Sequence, residues 1–342
     1  ILQDTQIERN QSGFSNIRLM HRGLPESDFK TVETATQFLN KRISFPFLIA
    51  SMTGGAAQNL GLINRHLAEA AEACQVPMAV GSQRTMMLDQ AAKQTFALRQ
   101  YAPTAPLIAN LGAVQLNYGF GIDEARRAID ILEADALYLH LNPLQEVIQP
   151  EGDTNFSGLA DKIHQLSQQI DVPIILKEVG AGLSPKDIEL GLQAGIQFFD
   201  VAGRGGTSWS RIEAHRADNP LGVIFQDWGL TTLEALKMSQ AYQSQGFFIA
   251  SLIVESLVLL MTSVLQRGYL NRRIYQRILI LLTSLVPVFL LLNSLNTENL
   301  LIQSATFLIS YCLLISLFSN SVRSDFIWLK NETLGRINLK TT

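Results

Sequence analysis

Lys177 lies in the apolar run "PIILKE". A lysine there is either a snorkelling surface residue or a buried ammonium, and a buried ammonium requires an anionic partner. Arg84 follows Ser82 and Gln83 at the end of another apolar run, where a hydroxyl and a guanidinium form a clamp for phosphate-type oxygens, unless the arginine is a plain surface residue. Glu146 stands beside Gln145 and close to Asn142. As a lone carboxylate near phosphate oxygens it suits Mg²⁺, which keeps most of its waters; the bland alternative is a solvated loop acid. His140 is the only histidine inside a strand-like run, as a site residue or a satisfied core histidine. Asn110, two residues before Gly112, is a polar ligand or a turn-former. The glycines of 203–207, which end at Thr207, expose backbone N–H groups suited to an anion, though glycine also serves ordinary turns.

Something must bring these residues together. Short apolar runs at 45–51, 77–81, 106–111, 136–141, 173–178, 197–202 and 247–251 alternate with amphipathic stretches at 64–74, 123–133, 158–169, 185–194 and 231–242. Strands that alternate with helices pair in parallel, because a parallel neighbour needs a crossover. Near-continuous apolar strands such as "PLIANLG" and "ALYLHL" are those covered on both faces. Seven such units predict a (β/α) barrel, whose site is built where the strands end. The polar residues sit at those ends: Ser51, Met52 and Thr53 after the first run, Ser82 to Arg84 after the second, Asn110 in the third. His140, Asn142, Gln145 and Glu146 follow the fourth, Lys177 belongs to the fifth and Thr207 to the sixth.

The charge of −3 with scattered lysines and arginines predicts no nucleic-acid surface. Cys74 and Cys312 are too few and too far apart for a zinc framework or a disulfide scaffold, and fit a reducing compartment. The chain opens at Ile1 without methionine and reads as truncated, and the polar "ILQDTQIERNQ" is not a signal peptide. Composition changes near Ser251: 21 of 23 glycines lie at or before it, and alanine falls from 29 to the single Ala305. The expected organisation is therefore a barrel over 1–251 and an apolar tail over 252–342.

The stretches "SMTGGAAQNLGLINRHLAEAAE", "VGSQR", "ANLGAVQLNYGFG", "HLNPLQEVIQPEGDTNFSGL", "KEVGAGLS", "VAGRGGTSWSRIEAHR" and "FQDWGLTT" closely resemble type 2 isopentenyl-diphosphate isomerases. The resemblance covers about residues 12–251. It implies an FMN-dependent (β/α)8 TIM-type barrel, a cytoplasmic homo-oligomer, that interconverts isopentenyl and dimethylallyl diphosphate with Mg²⁺, NADPH supplying the reducing equivalents. It also implies that Ser51, Met52, Thr53, Ser82, Asn110, Lys177 and Thr207 contact FMN. By the same resemblance Ser82, Gln83 and Arg84 hold the diphosphate, His140, Asn142 and Gln145 face the substrate, and Glu146 binds Mg²⁺. Among these, His140 and Gln145 are the expected catalytic side chains, with the reduced flavin as proton donor and acceptor.

The sequence departs from this family in two places. The family's amino-terminal Arg-Lys pair and nearby histidine are absent. After "FFIAS" the expected Gly-Gly turn, eighth strand and phosphate-binding turns are missing or replaced by an apolar helical tail. That tail reads either as an out-of-frame sequence, giving an inactive remnant, or as a membrane hairpin built on the uncharged segments 278–297 and 299–322. Another FMN barrel, such as a 2-hydroxy-acid oxidase, is the alternative enzyme. It would want a His-plus-Arg pair near the end of the barrel, and the seventh run offers none.

Overall fold

The structure, a computed structural model, describes residue 7 and residues 11–52, 58–217 and 220–250. All belong to the first of two compact units, Ile1–Gln276. Thr53, the phosphate-binding turns, the eighth strand and the segments 278–297 and 299–322 lie outside the described residues. Among the described residues no helix is long and apolar enough to cross a membrane.

A hairpin comes first, β1 (Thr36–Phe38) and β2 (Lys41–Ile43), paired antiparallel. Its two-residue turn puts Leu39 and Asn40 at φ 49° and 59°, a mirror-image turn that suits asparagine and strains leucine. Then come α1 (Gln58–Cys74), β3 (Met78–Ala79), α2 (Arg84–Leu88), β4 (Leu107–Gly112), α3 (Ile122–Leu132), β5 (Ala136–Leu141) and α4 (Pro143–Ile148). The order continues with α5 (Leu159–Ser167), β6 (Ile174–Glu178), α6 (Pro185–Gln193), β7 (Phe198–Asp200), α7 (Trp209–Ala217), α8 (Leu221–Ile224), α9 (Thr232–Ser239) and β8 (Phe247–Ile249). Strands β3 to β8 pair in chain order, every pair parallel, and a parallel bridge from Ile49 to Met78 brings the first apolar run beside β3. This is the barrel order expected from the sequence.

Side chains on a strand alternate between two faces. On one face, Leu107, Leu111, Leu137, Leu139, Leu176 and Phe199 pack beneath the helices. On the other, Ala79, Ile108, Ala136, Tyr138 and Ile175 form a second cluster, which Leu48, Phe198 and Ile249 join from the far strands. Those partners meet only because the sheet is curled. Phe38 and Ile43 of the hairpin are buried in the same inner cluster, so β1 and β2 stopper the barrel at the strands' amino-terminal ends. Above this apolar layer the same face continues into polar residues.

The helix starts follow local chemistry. Ser184 caps α6, its hydroxyl accepting from Asp187 N–H while the Asp187 carboxylate accepts from Ser184 N–H, and Pro185 takes the first turn. Thr231 and Glu234 do the same for α9.

Candidate active site

The inner face places its residues by register. Asn110 is opposite Tyr138, Gly112 opposite His140, His140 opposite Lys177, and Lys177 opposite Asp200. One polar layer therefore runs across four neighbouring strands at their carboxyl ends. Above it opens a cavity of about 300 Å³, lined by Ser51, Met52, Ser82, Arg84, Asn110, Gly112, Gln115, His140, Asn142, Gln145, Glu146, Lys177 and Trp209, among others. That volume is at the lower end of small-molecule sites.

Lys177 is 1% exposed, so its ammonium must be compensated within the protein. Its Nζ donates to the Glu178 carbonyl at 2.9 Å and lies 3.5 Å from Asp200 Oδ2. The Tyr138 hydroxyl donates to that same Asp200 oxygen at 3.0 Å. Burial, and then the adjacent Asp200 charge, push the Tyr138 phenol well above its usual range, so it stays a neutral donor.

His140 Nδ1 meets Asn110 Oδ1 at 2.8 Å, while Asn110 Nδ2 donates to the Val80 carbonyl at 3.0 Å. With the carboxamide oriented by Val80, its oxygen faces the ring, which places the proton on Nδ1 and leaves Nε2 as the acceptor. Burial, with Lys177 and then Arg84 adding like charge, lowers the His140 pKa to about 4, so the ring is neutral at pH 7. A Cβ at Gly112 would stand 3.1 Å from His140 Nε2, so the glycine leaves the ring its room.

On α4 the carboxylate of Glu146 is held from three sides. Asn142 Nδ2 donates to one oxygen at 2.8 Å; Gln149 Nε2 and the Asp153 N–H donate to the other at 2.7 and 2.8 Å. Gln145 donates to the buried Glu213 carboxylate of α7 at 2.8 Å, and Glu213 pairs with Arg216 at 2.6 Å. Arg84 opens α2 and pairs with Asp153 at 3.2 Å.

A family model described as FMN-dependent dehydrogenase matches residues 2–110. Over 255 residues the chain is 66% identical to the isopentenyl-diphosphate delta-isomerase of Hydrogenovibrio crunogenus, covering 73% of this chain and 74% of that protein. The chain belongs to the isopentenyl-diphosphate delta-isomerase family. Enzymes of that name from Paracoccus zeaxanthinifaciens and a Nostoc species are 55% and 47% identical, over 72% and 73% of this chain and 73% and 72% of their own lengths. The C-terminal region stays outside these matches. A solved mandelate oxidase aligns with a TM-score of 0.45 at 15% identity, over 72% of this chain and 69% of its own.

Set in an isopentenyl-diphosphate delta-isomerase, the residues singled out from the sequence divide into three groups. Ser51, Met52, Ser82, Arg84, Asn110, His140, Asn142, Gln145, Glu146 and Lys177 share the cavity. Thr207 lies just beyond, in a small recess whose walls include Gln145, Val179 and Trp209, which the cavity shares. Gln83 does not join them, contrary to its expected place on the diphosphate. It is fully buried, its Oε1 accepting from Asn110 N–H at 2.9 Å and its Nε2 donating to the Ala128 carbonyl of α3 at 3.0 Å. It ties α3 to β4 from the outer side. The Gly203–Thr207 turn also has a packing explanation. A Cβ on Gly203 would lie 2.6 Å from Thr232 N, and one on Gly205, at φ +140°, 2.5 Å from the Ser12 Cα.

Two buried atoms test the fit of the groups this family uses. Among the described residues Thr207 Oγ1 and Asn142 Oδ1 are buried with no hydrogen-bond partner, the condition expected of atoms that a ligand completes. A buried ammonium and an uncommitted hydroxyl fit the polar edge of a flavin ring. Glu146 is a single carboxylate among the side-chain amides of Asn142 and Gln149 and the Asp153 N–H. Among the described residues no cluster of three His, Cys, Asp or Glu side chains is arranged for a metal. This fits a Mg²⁺ held by one carboxylate, water and phosphate oxygens, and does not fit an all-protein metal cage. Sequence reasoning missed Asp200, Tyr138 and Glu213. Asp200 ends the run "QFFD" and Tyr138 begins "YLHL"; their parity with Lys177 and His140 was the available signal.

Proposed function

We propose that this chain interconverts isopentenyl diphosphate and dimethylallyl diphosphate, using reduced FMN and Mg²⁺, with NADPH as reductant, as a cytoplasmic homo-oligomer. One observation carries the reading: a cation, a neutral imidazole, two amides and a carboxylate from β5, α4 and β6 converge on one cavity in a chain of this family. The reaction adds a proton at C4 and removes one from C2. The reduced flavin, when bound, supplies an electron-rich ring for that exchange.

The chain's own residues do the rest. Lys177 holds the negative edge of the ring, with Ser51, Met52, Thr53, Ser82, Asn110 and Thr207 as its other contacts. Ser82 and Arg84 anchor the diphosphate by charge-assisted hydrogen bonds. Glu146 holds the Mg²⁺ that neutralises it. His140, neutral and with its Nδ1–H donating to Asn110 Oδ1, turns Nε2 toward the substrate, and Asn142 and Gln145 orient the five-carbon unit; Glu213 keeps the Gln145 amide in place. The test is an absorbance spectrum of the purified full chain, followed by turnover of isopentenyl diphosphate with FMN, NADPH and Mg²⁺. A flavin spectrum with product formation is expected. Colourless protein that fails to bind added FMN would end the proposal.

A further inference from the structure

Asp200 is wholly buried and does not line the cavity, so it acts through what it touches. It touches Lys177 and Tyr138. One oxygen, Oδ2, serves both the ammonium at 3.5 Å and the phenol at 3.0 Å. The Lys177 ammonium thus sits between a carboxylate below and the cavity above, with the Tyr138 ring 5.8 Å from Nζ. We infer that Asp200 is a positioning residue which fixes Lys177 and sets how strongly the site prefers an anionic ring to a neutral one.

The inference rests on the proposed placement of the flavin against Lys177. The Lys177–Asp200 ion pair is formed before any ligand arrives, so an oxidised, neutral flavin meets a compensated cation. An anionic, reduced flavin must share that cation with Asp200. The carboxylate therefore works against the reduced form, and the Tyr138 hydroxyl softens it by taking part of the Oδ2 electron density. Two substitutions then have opposite signs. Asp200→Asn removes the charge that competes with the reduced ring for Lys177. Tyr138→Phe keeps the ring packing and frees Oδ2 to draw Lys177 away from the cavity.

The measurement is the ratio of dissociation constants for oxidised and dithionite-reduced FMN, titrated anaerobically into the full chain. Asp200→Asn should shift the ratio toward reduced FMN on the order of tenfold, about 30 mV for a two-electron couple. Tyr138→Phe, the variant less prone to unfolding, should shift it a few-fold the other way. A purely structural role would weaken both forms alike, so an unchanged ratio in either folded variant overturns the inference. Lys177→Met separates this from the underlying reading. If it alters the ratio and the other two do not, Asp200 is wrongly assigned and the flavin placement stands. Should Lys177→Met leave the ratio unaltered, or the parent chain bind no FMN, the placement fails and the inference falls with it.

Discussion

At the scale of single residues, the charge state of His140 is set by its surroundings. Its pKa is lowered from 6.5 to about 4 by burial first, then by Lys177 and Arg84. The unfolded chain takes up this proton near pH 6.5 and the folded chain only near 4, so between those values the unfolded state holds more protons. Stability is then complete above pH 6.5 and falls as the pH drops toward 4, by about 2–3 kcal/mol. Urea unfolding at pH 7 and pH 5 should show this loss, and His140→Asn should lose less over the same interval. An identical pH dependence in both proteins would show that this ring does not drive it. Gln83 makes a second case. Its amide satisfies a buried N–H and a buried carbonyl, so Gln83→Ala should cost about 2–3 kcal/mol in denaturant unfolding while leaving pyrophosphate affinity near that of the parent. A large loss of anion affinity in a folded Gln83→Ala protein would return the residue to the diphosphate site.

At the scale of elements, α6 packs so close to the sheet that one position has no room for a methyl group. A Cβ on Gly191 would stand 2.6 Å from the Phe199 ring and 2.8 Å from Leu176 Cδ1. Phe199 cannot yield easily, being fully buried and stacked on Phe248 at 5.4 Å. Alanine would gain up to about 1 kcal/mol of helix propensity and lose about 1–3 kcal/mol to overpacking. Gly191→Ala should therefore lower the thermal midpoint, and a raised midpoint would show that the helix can shift. The sequence made such elements readable where burial on both faces left uninterrupted apolar runs, and the strand cores at Leu107–Gly112 and Ala136–Leu141 lie where those runs stand. It was less readable where local signals were weak. The hairpin turns at Leu39-Asn40, without the glycine that usually marks such a turn. Helix α4 followed a readable cue, Pro143 in its first turn after Asn142. Gln83 was misplaced because proximity to Ser82 and Arg84 in sequence says nothing about which side of the sheet an amide faces.

At the scale of the whole molecule, two apolar layers share one sheet, so neighbours on a strand belong to different cores. Ile175 is buried inside the barrel and Leu176 beneath the helices, at 0% and 4% exposure. Ile175→Ala and Leu176→Ala should each cost about 2–5 kcal/mol in urea unfolding. A negligible effect for either would mean that one face of the sheet is open to water. The polar layer was legible as a ring of strand ends, but its inward orientation needed the register that pairs Lys177 with Asp200. The contact of Ile7 and Ser12 with the later rim has a consequence in time. Ile7 accepts from Ser208 N–H at 2.8 Å, Ser12 accepts from Leu233 N–H at 2.9 Å, and Ile7 is 2% exposed. Ile7 and Ser12 thus dock against residues made some two hundred positions later, an interval of about 10–40 s at ordinary elongation rates. During synthesis Ile7 waits in water, a period in which a chaperone can bind it before its berth exists.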